Sequence, residues 1–290
     1  MNSLVAGLGV GCMYALLALG FAVIAHVTGI ANFAQGTIAM VAAYALFSLA
    51  DAGLALPLAV ILALLSGAVC AALVHLIAVK PLRGEHESFT WLLSIVGVSF
   101  ALEGLAGFAY GYDERVAVRL PGVKGSVDMA GVSVERLYLL MAVLLVVAVI
   151  LVELLFARWH ATGRALRAVA ADPTSAELAG VRSARLKMAA WCAGGAIAAV
   201  AGIVSAPMLV LSPNMGHTVG LLAVIAAVVG GMGRIGLAPV IGGLLLGVTQ
   251  ISAQSAFGGE WTQIVSVVVL SGVLILRPQG LLPERHGRAA

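Results

Sequence analysis

The chain has 290 residues, 62% of them hydrophobic and only 10% charged, with a formal net charge of +3. An ordinary soluble domain carries about 25% charged residues, and this net charge is too small to suggest nucleic acid as a partner. Apolar runs of about 18 residues or more read as membrane-spanning helices. These runs are continuous rather than alternating, which excludes a membrane β-barrel and leaves an all-α, polytopic integral membrane protein.

Nine apolar segments follow one another along the chain. Leu4–Ala25 is the first, and Phe33–Ala50, marginal in length, is the second. Leu56–Val79, Phe89–Tyr110, Leu137–Ala157 and Met188–Leu211 are each long enough to cross a bilayer. Val219–Met232, Leu237–Ile251 and Ile264–Leu276 complete the set. Helical residues from Val219 to Met232 would rise only about 21 Å, against a hydrocarbon core of about 30 Å. Short or glycine-interrupted segments in both halves of a chain point to a transport pathway. Here GIANFAQG precedes the second segment and GGMGRIG ends the seventh, although the halves do not align residue by residue. Residues 1–290 read as one membrane-spanning domain with about eight or nine transmembrane or partly re-entrant helices.

Orientation follows from Lys and Arg near the segment ends. The loop at about 158–187 holds Arg158, Arg164, Arg167, Arg182, Arg185 and Lys187, and the tail holds Arg277, Arg285 and Arg288. The connections at 212–218 and 252–263 hold neither residue type. This places the loop and the C-terminus in the cytoplasm, together with Lys80, Arg83 and Arg234, and the N-terminus outside. The loop at 111–136 is external by parity, yet it carries Arg115, Arg119, Lys124 and Arg136. Met1-Asn2-Ser3 has no basic cluster, so the first helix rather than a cleaved signal peptide is expected to direct insertion.

Within the cytoplasmic loop, Asp172 suits a helix N-cap and Pro173 the first helical position. Thr174 and Glu177 have capping-box spacing, and Gly180 can end the helix in a left-handed conformation. The result is a helix of about two turns with a small face of Ser175, Ala176 and Ala179. It is either a solvated loop helix or a docking element for a soluble protein.

The stretch GRALRAVAADPTSAELAGV, from Gly163 to Val181, resembles the cytoplasmic loop of bacterial ABC-transporter permeases for branched-chain amino acids. Thr174, Ser175, Ala176 and Gly180 occupy the positions of that family's degenerate Glu-Ala-Ala…Gly motif, with the Glu and first Ala replaced. GLGVGCMYALLALGFAVI, NFAQG, LSPNMG, VVGGMGRIGLAPVIGGLLLG and LRPQGLL resemble the family in the same order. Length and the NFAQG segment resemble the shorter, H-type permease subunit of high-affinity leucine/isoleucine/valine uptake systems. The resemblance implies a multi-pass protein of the bacterial cytoplasmic (inner) membrane, in which two permease subunits pair, as identical or different chains. Two ATPase subunits would dock on the cytoplasmic loops of the pair, in this chain through Asp172, Thr174, Ser175, Ala176, Glu177 and Gly180, and an extracytoplasmic solute-binding protein would deliver substrate. The family often carries His and an acid where this chain has Gln35 and Thr37, a change that removes charge.

Other motifs narrow the chemistry. GMGRIG matches a dinucleotide fingerprint in letters but joins two membrane segments, where a tight turn fits better. No G-x-x-x-x-G-K-[ST] loop occurs, so the chain cannot hydrolyse ATP by that route, and its energy must come from a partner or a gradient. Cys12, Cys70 and Cys192 lie in apolar segments and read as small buried hydrophobes. Neither a metal site, a cofactor nor a catalytic constellation is expected. Gly7…Gly11 and Gly243…Gly247 have the spacing that lets helices approach closely in lipid, within the chain or at a partner subunit. Asn32 and Gln35, at the start of the short second segment, are candidates for a substrate path, or else helix-end caps. Glu103 is the acid deepest in an apolar segment and is a further pathway candidate, with structural pairing the favoured role. Asn214, beside His217, marks an external substrate mouth or a Pro-Asn turn. A gradient-driven secondary transporter is the alternative reading, and a sugar-importing permease of related type is a third.

Overall fold

The computed structural model describes residues 2–82, 90–115, 123, 125–129, 132–156, 160–208, 210–231, 235–259 and 261–282. Arg83, Arg119, Lys124, Arg158, Arg234, Arg285, Arg288 and the centre of GGMGRIG lie outside the described residues. The described residues form eleven α-helices and one two-stranded hairpin. The helices are α1 (Asn2–Thr28), α2 (Gln35–Asp51), α3 (Leu56–Val74), α4 (Thr90–Tyr110), α5 (Arg136–Leu155) and α6 (Ala161–Ala171). They continue with α7 (Pro173–Leu178), α8 (Ser183–Ser205), α9 (Met215–Gly230), α10 (Leu237–Phe257) and α11 (Trp261–Leu276).

Six helices are long and apolar enough to cross a membrane: Ser3–Thr28, Leu56–Leu82, Thr90–Tyr110, Arg136–Leu155, Ser183–Ser205 and Leu237–Phe257. In lipid a helix is favoured because it satisfies its backbone polar groups within one segment. The most apolar window of α1 is 83% buried, against 28% for α4 and α5, so α1 is the central post and α4 and α5 lie on the outside. The chain around α1 closes on small residues. A Cβ at Gly11 would lie 2.9 Å from Leu244 Cα, and one at Gly243 2.5 Å from Ala15 Cα. The two small-residue motifs seen in the sequence therefore pack on each other, antiparallel, inside the chain.

This antiparallel order gives the molecule two ends. The ends of α1 and α5 and the start of α8 meet α6 and α7 at one end, where Val27, Leu166, Val169, Ala176 and Ala190 share a buried cluster. At the other end β1 (Ser126–Met129) pairs with β2 (Val132–Glu135), with Ser126 opposite Glu135. Leu211 and Arg115 also form an isolated antiparallel bridge.

Three elements differ from the sequence reading. The hairpin lies in what reads as an external loop, although Val127-Asp128-Met129 and Val132-Ser133-Val134 alternate as short strands do. The second is α6, whose buried Gly163, Leu166 and Val169 form a narrow apolar stripe in a polar segment. Finally, α8 runs from Ser183 to Ser205 rather than from Met188 to Leu211. Arg185 and Lys187 are tolerated in its first turns because long basic side chains can snorkel. Pro207 lacks an N–H and stops it.

The tail is part of the fold. Leu281 and Leu282 N–H groups donate to the carbonyls of Val229 (2.9 Å) and Gly230 (3.0 Å). LRPQGLL thereby satisfies carbonyls that the end of α9 leaves free.

Candidate functional site

Two half-helices, so termed because each starts part-way through the bundle, begin inside the molecule: α2, of 17 residues, and α9, of 16. The Gln35 side chain donates from Nε2 to the Gly194 carbonyl (2.9 Å), in the middle of α8. Gly194 lies eleven residues into α8, a rise of about 16 Å. The first turn of α2 therefore sits about half-way between the ends. The first turn of α9 meets it there: a Cβ at Gly36 would lie 2.5 Å from Gly220 Cα, and one at Gly216 2.9 Å from Thr37 Cα. Real carbon atoms approach to about 3.5–4.0 Å, so only glycines allow the crossing. Both half-helices start alike, with Gln35 N–H donating to the Asn32 carbonyl and Met215 N–H to the Ser212 carbonyl.

Glu103, on α4, is buried at this crossing, with 8% of its surface exposed. Its Oε1 accepts from the Thr37 hydroxyl at 3.1 Å. Thr37 and Ser99 hydroxyls are 2.7 Å apart. Thr37 has a single hydroxyl proton and directs it to the carboxylate, so Ser99 donates to Thr37. The backbone amide and imidazole of His217 also face Glu103. That amide belongs to the first turn of α9, so the acid lies where two positive helix ends converge. Such a carboxylate ties α2, α4 and α9 together.

Asn32 and Gln35 lie just before and at the start of α2 and are fully buried. Asn32 Oδ1 accepts from the Ala34 N–H (3.1 Å), and its Nδ2 donates to Gln35 Oε1 (3.0 Å). The Asn32 side chain closes a turn just before α2, whose N-cap position is Ala34, and pairs with Gln35. Asn214 stands exposed at the N-cap position of α9 and its side chain makes no capping bond. The structure brings Glu103 and the Asn32–Gln35 pair to one crossing, whereas the Asn214 side chain faces away. Sequence reasoning missed Ser99, Gly36 and Gly216. A signal existed, since Gln35-Gly36-Thr37 and Met215-Gly216-His217 each open a short segment with a central glycine.

Toward the hairpin end, the α2–α4 seam carries a second polar group. Arg115 donates from Nη2 to the Tyr110 carbonyl (2.7 Å) and lies over the Phe47 ring, 5.8 Å from its centroid. The Tyr44 and Tyr110 rings stack at 4.5 Å. Arg115 Nε and the Tyr44 hydroxyl are buried without a hydrogen-bond partner. Arg115, one of the four bases that conflicted with loop parity, is thus folded against the helices.

At the opposite end, α7 opens as its sequence predicts. Asp172 Oδ1 accepts from the Thr174 N–H at 2.9 Å, and its Oδ2 from the Ser175 hydroxyl. These bonds, the Ser175 hydroxyl first, hold the Asp172 carboxyl below its ordinary 3.8. Glu177 accepts from the Ser183 hydroxyl rather than reaching back to the N-cap as in a capping box. Gly180 takes φ +83°, and the Gly180 and Val181 amides return to Glu177 and Ala176 carbonyls. Ala176 does not join an outward small face; it is 4% exposed and packs on the body. Leu178 instead points outward, 87% exposed.

Residues 3–275 match the family model described as branched-chain amino acid transport system / permease component. The chain belongs to this permease family. Its relatives include the high-affinity branched-chain amino acid transport system permease protein BraD of Pseudomonas aeruginosa. BraD is 32% identical over 97% of this chain and 95% of its own length. The LivH protein of Salmonella typhimurium, of the same description, is 30% identical over 95% of this chain and 93% of its own. A solved structure described as an inward-facing conformation of a metal-chelate type ABC transporter shares the fold. Its TM-score is 0.53 at 17% identity, covering 95% of this chain and 85% of that one. The matched span of the permease family takes in both half-helices and α7, and stops within α11, short of the tail that pairs with α9.

Proposed function

We propose that this chain is the membrane permease subunit of an ATP-driven importer for branched-chain amino acids or related small organic acids and amides. The family match over residues 3–275 carries this reading. Nine helices, α1 to α5 and α8 to α11, then cross or enter the membrane, with α2 and α9 as re-entrant halves. The α7 end, with Arg164, Arg167, Arg182, Arg185 and Lys187, faces the cytoplasm, as does the C-terminus. The hairpin end faces a solute-binding protein, a second permease subunit pairs in the membrane, and the site is a bacterial inner membrane.

In this reading two ATPase subunits dock on the cytoplasmic loops of the paired permeases, and residues 158–187 are this chain's docking loop. Asp172 and Ser175 fix the start of α7, Gly180 its end, and Ala176 and Glu177 anchor it to the body. Thr174, Leu178 and Ala179 form the exposed contact surface. Substrate passes along the α2–α4–α9 seam. Asn32 and Gln35 brace its floor, Glu103 latches the half-helices, Asn214 lines the outer opening, and Arg115 with Tyr44 receives a carboxylate at the outer mouth.

The test is purification of the tagged chain in mild detergent from its host, with mass spectrometry of the copurifying proteins. An ATPase and a second permease in stoichiometric amount, with ATP-dependent leucine uptake after reconstitution, is the expected result. Uptake by the chain alone, driven by an ion gradient, would overturn it in favour of a secondary transporter.

A further inference from the structure

A cavity of about 530 Å³ lies between α7 and the membrane-spanning body. It is bounded by the ends of α1 and the α3 segment, by α7, and by the start of α8. Its walls are chemically sorted. Lys80 and Lys187 supply two ammonium groups, and both lie close enough to act electrostatically on His75. His75 Nδ1 is buried with no hydrogen-bond partner. Glu177 supplies a carboxylate, and Ile30, Val79 and Ala184 an apolar patch. Among the described residues neither lysine has an ion pair, and the Glu177 carboxylate accepts one hydrogen bond, from the Ser183 hydroxyl. Two cations, an anion and an aliphatic wall around one space complement a zwitterion with an aliphatic side chain.

We infer that this cavity is a second, cytoplasmic binding site for an aliphatic amino acid, distinct from the translocation seam. The carboxylate of the ligand lies against Lys80 and Lys187, its ammonium against Glu177, and its side chain on Ile30, Val79 and Ala184. The inference rests on the permease reading, and it adds regulation to it. The ligand bridges α7 to the α3 segment and α8, so a filled site holds α7 against the body. An element held this way cannot follow an ATPase. Amino acid accumulated in the cytosol would then slow its own further import, with no separate regulatory domain.

The test uses the purified permease–ATPase complex and L-leucine as probe, with inorganic phosphate as competitor. Tritiated leucine binding is measured without solute-binding protein, for wild type, Lys80→Gln and Lys187→Gln. Losing one charge-assisted bond should weaken binding about tenfold in each variant. In proteoliposomes preloaded with leucine on the cytoplasmic side, wild-type uptake should fall, and Lys80→Gln uptake should fall less. With an unloaded lumen, Lys80→Gln uptake should equal wild type. Uptake without this binding, or binding equal in all three proteins, overturns the site and leaves the permease reading intact. Phosphate competing for a site that leucine does not occupy marks a general anion site and also overturns it. Absence of both uptake and binding sinks the site together with the permease reading.

Discussion

Replacing Gly36 with alanine probes the meeting of the two half-helices. The added methyl would lie 2.5 Å from Gly220 Cα, a backbone atom that no rotamer change can move. Relief to about 3.5 Å requires α2 and α9 to part by roughly 1 Å. Thr37 is the next residue, so any part of this shift directed away from α4 lengthens its 3.1 Å bond to Glu103. Overpacking costs about 1–3 kcal/mol, and a hydrogen bond to a charged group about 1.5–3 kcal/mol. The sum, about 2.5–6 kcal/mol if that bond is lost, corresponds to a fall of roughly 10 °C in the unfolding midpoint. The assay is thermal unfolding in detergent, followed by size-exclusion chromatography, with uptake measured in parallel. Gly104→Ala is the control, because a Cβ there meets nothing within 4 Å. It should leave the midpoint unchanged or raise it slightly. A Gly36→Ala protein with wild-type midpoint and uptake would refute the crossing as described.

Gly180→Val places a β-branched residue at φ +83°, where a Cβ meets no neighbour. The cost is therefore conformational, about 1–2 kcal/mol. ATPase activity should persist while uptake falls, and full uptake by this variant would show that the end of α7 is not under strain. Glu103→Gln keeps an oxygen to accept from Thr37 but turns an amide toward the His217 N–H. The protein should fold and lose about tenfold in uptake, the worth of one charged hydrogen bond; unchanged uptake would contradict the latch. The Asp172 carboxyl is held below 3.8 when folded, so its stabilisation of α7 is complete above that value and fades as pH falls below it. Amide exchange at Thr174 and Ser175 should accelerate with a midpoint under 3.8, absent in Asp172→Asn. A midpoint at or above 3.8 would show that the cap does not favour the ionised form.

What could be read from the sequence were the features set by nearest neighbours along the chain. The cap of α7, the φ of Gly180, the long apolar helices and the close-packing glycines of α1 and α10 all follow from local pattern. The partnership of Glu103 with Thr37 and Ser99 could not be read in this way, because it joins residues more than sixty positions apart. Ala176 looked like an outward contact because small residues suit both a groove and a core. The tight space against Val27 and Leu166 decided for the core. Polar composition hid α6, since a helix lying at the edge of a bundle needs only a narrow apolar stripe.

The bond between Gln35 and Gly194 spans 159 positions. Its acceptor is made long after its donor has left the ribosome. At about 5–20 residues per second, α2 waits roughly 8–30 s for that partner. Throughout this interval its amide pair is a poor solute for the hydrocarbon core. The half-helix is thus disfavoured in lipid as an independent stage of synthesis. The start of α2 completes its set of hydrogen-bond partners only when α8 arrives.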